Sequence, residues 1–170
     1  MLNSYTNMAI LKITEYPARV LAQVGAPIES FDSQLEHLVG DMFETMYEAE
    51  GVGLAAPQVG LSLRLFVMDC EGVKLVAANP EILESDGEQS DEEGCLSVGK
   101  VASSLKRAMR VRLRAQDIEG ESFEVETTGL PARCFLHETD HCDGILFINR
   151  LTPLKREMVK RRFQKIKKWE

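Results

Sequence analysis

Long apolar runs are missing from this sequence. The longest, such as ILFI at residues 145–148, span only a handful of residues, far short of the roughly 20 that a bilayer-crossing helix requires. That excludes a helical membrane protein, and no membrane partner is expected. The first ten residues, MLNSYTNMAI, have neither a basic stretch nor an apolar core, so no secretory leader is read there and a cytoplasmic protein is expected. Cysteine is sparse: Cys70, Cys95, Cys134 and Cys142 fall at irregular spacings with no CxxC pair. Without a secretory context they read as reduced thiols or metal ligands, and not as a disulfide frame. There are no internal repeats and no low-complexity tracts. Excess positive charge is also lacking, since the chain carries −7 overall, which argues against wholesale nucleic-acid binding and against a DNA partner.

What remains is the composition of an ordinary globular protein, 44% hydrophobic and 28% charged over 170 residues, most simply one domain spanning 1–170. Residues 1–8 read as a loose N-terminal extension. The charge is unevenly spread. Residues 151–170 hold eight Lys or Arg against Glu157 and Glu170, so this tail is +6 and the remainder −13.

The periodicity divides the chain into elements. Phe31, Leu35, Leu38, Val39, Met42 and Met46 recur at helical spacing, with Ser33 and Glu36 forming a capping-box pattern at the start. LRLFVMD (63–69) and VKLVAANP (73–80) read as strands around the turn CEG. The acidic stretch 81–94, EILESDGEQSDEEG, reads as a loop leading into Cys95. RVRLRAQD (110–117) and SFEVETT (122–128) alternate as a hairpin with one face buried. A helix follows, with Pro131 in its first turn and Gly144 at its end, on which Leu130, Cys134, His137 and His141 share one inward stripe. The segment 151–170, with Leu151, Leu154, Met158, Phe163, Ile166 and Trp169, reads as a basic amphipathic helix. Strands and helices are segregated, which predicts an α+β fold with mostly antiparallel sheets around the central helix and a C-terminal helix.

That central helix carries the chemistry. HETDH at 137–141 places two of the chain's three histidines four residues apart. Side chains at that spacing lie on one helix face roughly 5–6 Å apart, close enough for two imidazoles to share one ion. Glu138 is rotated about 100° from His137, beside such an ion and placed to take a proton from its water. Two histidines leave a site open, and the residues alone do not name the third ligand. His37, the other cysteines and many carboxylates are available, and Cys95, in EEGCLSV after the acidic stretch, is the best-placed candidate. Cys134 and Cys142 read as buried small apolar side chains, and Asp140 and Asp143 as groups orienting an imidazole. A zincin endopeptidase, with its third ligand downstream, and a non-catalytic peptide-binding protein are the alternatives.

GVGLAAPQVG (51–60), EEGCLSV (92–98) and HETDHCDG (137–144) resemble, in order and spacing, the three motifs of the peptide deformylase family. The likeness extends from ILKITEYPARVL to GILFINRLTPLKR, roughly residues 10–156. The resemblance implies that Cys95, His137 and His141 hold one divalent metal, natively Fe²⁺ and replaceable by Zn²⁺, Ni²⁺ or Co²⁺, with water at the fourth position. It implies hydrolysis of the N-formyl group from the N-formyl-methionine of new proteins, with Glu138 as the acid–base group. The Gln58 side-chain amide and the Leu96 backbone N–H would be the donors to the oxyanion. Gly51 and Gly53 would let the peptide approach, pairing near Gly53 as an added strand, and Leu130, Arg133 and Cys134 would surround the methionine side chain beside His137. A protein that acts on emerging chains makes the ribosome a candidate partner for the basic C-terminal helix, alongside N-formyl-methionyl peptides as substrates. The sequence departs from the family pattern at Gly99, where Pro is usual, in the small residues 102–104, and at Leu136, where Gln is usual.

Overall fold

The computed structural model describes residues 9–170; the extension read at 1–8 lies outside them. In chain order its elements are α1 (Ser33–Glu48), β1 (Gly53–Ala55), β2 (Leu65–Cys70), β3 (Val73–Asp86), β4 (Gln89–Gly94), β5 (Ala102–Arg107), β6 (Arg110–Gln116), β7 (Ser122–Thr128), α2 (Gly129–Cys142) and α3 (Pro153–Lys167). Five strands form an antiparallel sheet in the order β1-β2-β3-β6-β7, while β4 and β5 form a separate two-stranded sheet. The α+β class expected from the segregated pattern is the one observed.

The composition of β2 explains the layering. Leu65, Phe66, Val67 and Met68 are all fully buried, because both faces of the sheet are covered there. Phe66 and Met68 pack with Ala132, Phe135 and Cys142 of α2. Leu65 and Val67 pack on the opposite face with Val39, Met42 and Met46 of α1. Further along the sheet only one face is covered, and β6 alternates accordingly, with Val111, Leu113 and Ala115 inward and three arginines outward. A third cluster joins the β4–β5 unit to α3 through Val98, Val101, Leu105, Phe147, Val159 and Phe163.

Three expectations are corrected. The acidic stretch 81–94 is not a loop. It completes β3, turns at Gly87 (φ +70) and forms β4. The charges of its β3 part are satisfied across the sheet, where Glu81 faces Arg114, Glu84 faces Arg112 and Asp86 faces Arg110, pairs that stabilise an exposed face. The cap of α1 is Asp32 and not Ser33: Asp32 is extended and its carboxylate accepts the Leu35 N–H at 3.1 Å, which also places negative charge at the helix N-terminus. Finally, the last helix is shorter than 151–170 and its apolar face is divided. Leu151 just ahead of it, with Val159 and Phe163 within it, is buried, whereas Leu154, Met158, Ile166 and Trp169 are exposed. No helix among the described residues is long and apolar enough to cross a membrane.

Candidate metal centre

Helix α2 lies across the sheet and presents HETDH to the end of β4. Two side chains four apart on one helix face converge, and the rings of His137 and His141 stand edge to face with centroids 4.9 Å apart. Cys95, immediately after β4, brings its Sγ to 3.4 Å from His141 Nε2. Ligand atoms of Cys95, His137 and His141 all lie within 4.8 Å of one another, and the three residues are well shielded from solvent. Tetrahedral ligation with Zn–N near 2.0–2.1 Å and Zn–S near 2.3 Å requires ligand atoms roughly 3.3–3.6 Å apart. The Cys95–His141 separation already meets that requirement. The other candidates stay away: His37 is on α1 beside Asp41 at 3.6 Å, and Asp143, downstream, pairs with Arg64 at 2.7 Å. Among the described residues the third ligand that gathers with the two histidines is thus upstream, which does not favour the zincin arrangement.

The tautomer of His137 is fixed by Glu93, whose Oε2 accepts from Nδ1 at 2.8 Å, leaving Nε2 to face the site. Glu93 also receives two bonds from Arg107 at 3.1 and 2.7 Å and one from Arg133 at 2.9 Å. Burial alone would raise the Glu93 carboxyl; the hydrogen bonds from His137 and Arg107 outweigh it and hold the group well below the usual carboxylate range. The chain of charge continues from Arg107 to Asp140 at 2.8 Å and from Asp140 to Arg150 at 2.6 and 2.7 Å. The orienting role expected of Asp140 and Asp143 thus falls to Glu93, because both aspartates are taken by arginines. A signal was present: Glu93 and Cys95 are two residues apart at the end of a strand and so share a face.

Glu138 is buried, its Oε1 4.0 Å from His137 Nε2 and its Oε2 without a hydrogen-bond partner. Burial pushes its carboxyl up to about 7, and a divalent cation in the adjacent site would pull it back down. Burial keeps His141 neutral, as ligation requires. Burial likewise holds Cys134 protonated and pushes the Cys142 thiol up to about 12, so neither competes as a thiolate. An unpartnered buried carboxylate oxygen beside a thiol and two converging imidazoles is a donor set that suits a borderline-soft divalent ion.

These groups open onto a cavity of about 300 Å³. Every residue singled out from the sequence as a site residue lines it except His141, which lies fully buried behind His137. Gly53 comes so close that a Cβ there would sit 2.6 Å from Glu138 Oε1 and 2.8 Å from Cys134 Sγ; one on Gly51 would sit 2.8 Å from Leu96 Cδ1. Gln58 is 1% exposed at the end of β1, in a short 3-10 turn (Ala56–Val59). Leu96 opens another (Leu96–Val98), where the first N–H has no intrahelical acceptor. Arg133 and Cys134 are buried, while Leu130 is 42% exposed at the rim, so the inward stripe of α2 begins at Cys134. Among the described residues β1 is an edge of its sheet and β4 pairs only with β5, leaving backbone edges beside the cavity without a strand partner.

An antiparallel α+β scaffold whose central helix carries HExxH against an upstream thiol defines a metal-dependent hydrolase. The sequence profile of the family described as polypeptide deformylase matches residues 10–157. A peptide deformylase of Acidobacterium capsulatum is 47% identical over 166 residues, covering 95% of this chain and 98% of the relative, and one of Chromobacterium violaceum is 47% identical over 164 residues, covering 95% and 98%. The crystal structure of a peptide deformylase from Legionella pneumophila superposes with a TM-score of 0.91 at 48% identity, covering 95% of this chain and 97% of that one. The chain belongs to the polypeptide deformylase family.

Proposed function

We propose that Cys95, His137 and His141 hold the catalytic divalent ion and that Glu138, Gln58 and Leu96 do the proton and charge work around it. The reaction is removal of the N-formyl group from the formyl-methionine that begins a new polypeptide, with release of formate. The observation that carries this assignment is the convergence of one thiol and two imidazoles beside a buried, unpartnered carboxylate. Fe²⁺ is the native ion in this proposal, with Zn²⁺, Ni²⁺ or Co²⁺ able to replace it at the same ligands. When bound, the ion supplies Lewis acidity and a more acidic water.

The chain's own groups account for the remaining steps. Glu138 accepts the proton of the attacking water and delivers it to the departing amine nitrogen, a role typically worth about 10²–10⁴ in rate. Gln58 Nε2–H and the Leu96 N–H donate to the oxygen that gains charge as the formyl carbon is attacked, each worth on the order of 10²–10³. Gly51 and Gly53 leave room for an extended peptide to pair with the free edge near β1. Leu130, Arg133 and Cys134 receive the methionine side chain. A structural metal site needs neither Glu138 nor Gln58.

Anaerobically iron-loaded protein incubated with formyl-Met-Ala-Ser should release formate and free amine in equal amounts. Protein with one ion per chain and no release would overturn the assignment. The basic helix α3, with Leu154, Met158 and Trp169 exposed along it and just beyond it, is proposed to rest on ribosomal RNA phosphates while chains emerge.

A further inference from the structure

An amide side chain serves as an oxyanion donor only if its NH₂ end is held towards the reacting oxygen. In Gln58 that orientation follows from the partners. Oε1 accepts the Ala55 N–H at 3.0 Å, a bond that only the carbonyl end of the amide can make, so the amide cannot be flipped. Nε2 then has two hydrogens to place. One goes to Ser97 Oγ at 3.2 Å; the other is directed at Cys95 Sγ, 3.6 Å away on the metal side of the cavity.

We infer that Ser97 is a positioning residue for the hydrolysis, its hydroxyl locking the Gln58 amide so that the second N–H stays on the metal side of the cavity, within reach of the formyl oxygen as charge develops there. This rests on the oxyanion role given to Gln58 above. Ser97 is fully buried, and Gln58 is the one hydrogen-bond partner of its hydroxyl among the described residues. Its backbone is anchored separately, the carbonyl accepting the Tyr16 N–H at 2.9 Å, so losing the hydroxyl does not release the turn that carries Leu96. With Ser97 in place, Gln58 spends neither end of its amide on a searching motion, and the donor is organised before substrate arrives. Without that acceptor only the Ala55 N–H on Oε1 and one weak sulfur contact on Nε2 hold the amide, and its last torsion, which is intrinsically broad, is less tightly fixed.

The test is a double-mutant cycle on metal-loaded protein with formyl-Met-Ala-Ser. Ser97→Ala is expected to lower kcat about three- to tenfold, the rate equivalent of one neutral hydrogen bond, with KM within about twofold of wild type and metal content unchanged. Ser97→Thr, which keeps the hydroxyl, is expected to retain most of the rate. In a Gln58→Ala background, Ser97→Ala should change kcat by less than about twofold. If Ser97→Ala leaves kcat intact, lowers it through lost metal, or lowers it equally with and without Gln58, the positioning role is overturned. If Gln58→Ala itself keeps full kcat, the oxyanion reading fails first and takes the positioning role with it.

Discussion

Gly53 keeps the candidate site working by having no side chain. A methyl group there would occupy space already held by Glu138 Oε1 and Cys134 Sγ, at 2.6 and 2.8 Å, and Glu138 is walled in by burial. Gly53→Ala should therefore displace the carboxylate without touching a metal ligand. A misplacement on the order of 1 Å can cost about 10² in rate, so kcat should fall by roughly that factor while metal content per chain, measured by elemental analysis, stays near one. Glu93→Gln should do the reverse. It keeps the shape but removes the charge that pairs with His137 and Arg107, and outer partners of this kind are typically worth about 10–100-fold in metal affinity. Competition against a chelator would measure the loss. At this scale the sequence spoke through spacing. HETDH pointed to two candidate ligands and a candidate base because helix geometry makes i and i+4 neighbours. Residues alone left the third ligand open, because Cys95 meets the histidines only after β4 has been placed on α2.

At the level of elements, the periodic segments were legible and the charged ones were not. α1, α2 and the β6–β7 hairpin follow from apolar residues recurring at 3.6 or 2, a signal that survives any tertiary context. Within the tract 81–94, Glu81, Glu84 and Asp86 on β3 are neutralised by Arg114, Arg112 and Arg110, distant in sequence, while β4 pairs with β5 and its Glu93 meets Arg107. Local composition carries no trace of those partners. α3 shows the opposite error: of the apolar stripe read at Leu151, Leu154, Met158, Phe163, Ile166 and Trp169, only Leu151 and Phe163 are buried, joined by Val159 from outside that stripe. The surface they cover is made in part by Gly99, whose φ is +64 and where a Cβ would lie 3.2 Å from the Phe163 ring. A proline would not fit this backbone, because its ring fixes φ near −65°. Gly99→Pro should destabilise the chain through both the backbone and the contact with α3. Gly99→Ala should do so more mildly, by about 1–3 kcal/mol, read as a lower midpoint in denaturant titration with an unchanged slope.

Over the whole molecule, charge is arranged in two ways that respond to different conditions. On the open face of the sheet, Arg110 binds Asp86, Glu84 and Glu126, and Arg112 binds Glu84 and Glu124. Hydrogen bonds from Arg112 and Arg110 lower the Glu84 carboxyl, and one from Arg110 lowers that of Asp86. Their contribution to folding is complete above the ordinary carboxylate range, near pH 4.5, and is lost as pH falls through the depressed folded values. Being exposed, the network is also screened by salt. Arg110→Gln should thus melt at a lower temperature than wild type at pH 7 in low salt, and the gap should close towards pH 3 or in 1 M salt.

The second arrangement is the segregation of +6 on residues 151–170 from −13 on the rest. Paired charge on the sheet stabilises the fold locally, whereas an excess of one sign on the outer face of one helix makes a long-range field. Of the lysines on α3, Lys167 reaches back to Glu15 and Glu170, and Arg161 and Arg162 have no ion pair among the described residues. A polyanion is the partner proposed for this face, and counterion release would make such binding fall steeply with salt. Reversing Lys160, Arg161 and Arg162 to Glu should abolish co-sedimentation with ribosomes at about 50 mM salt while leaving kcat on formyl-Met-Ala-Ser unchanged, because none of the three lines the candidate site's cavity. Wild-type association that survives 200 mM salt undiminished, or a triple variant that sediments like wild type, would show that the helix does not hold the chain to the ribosome.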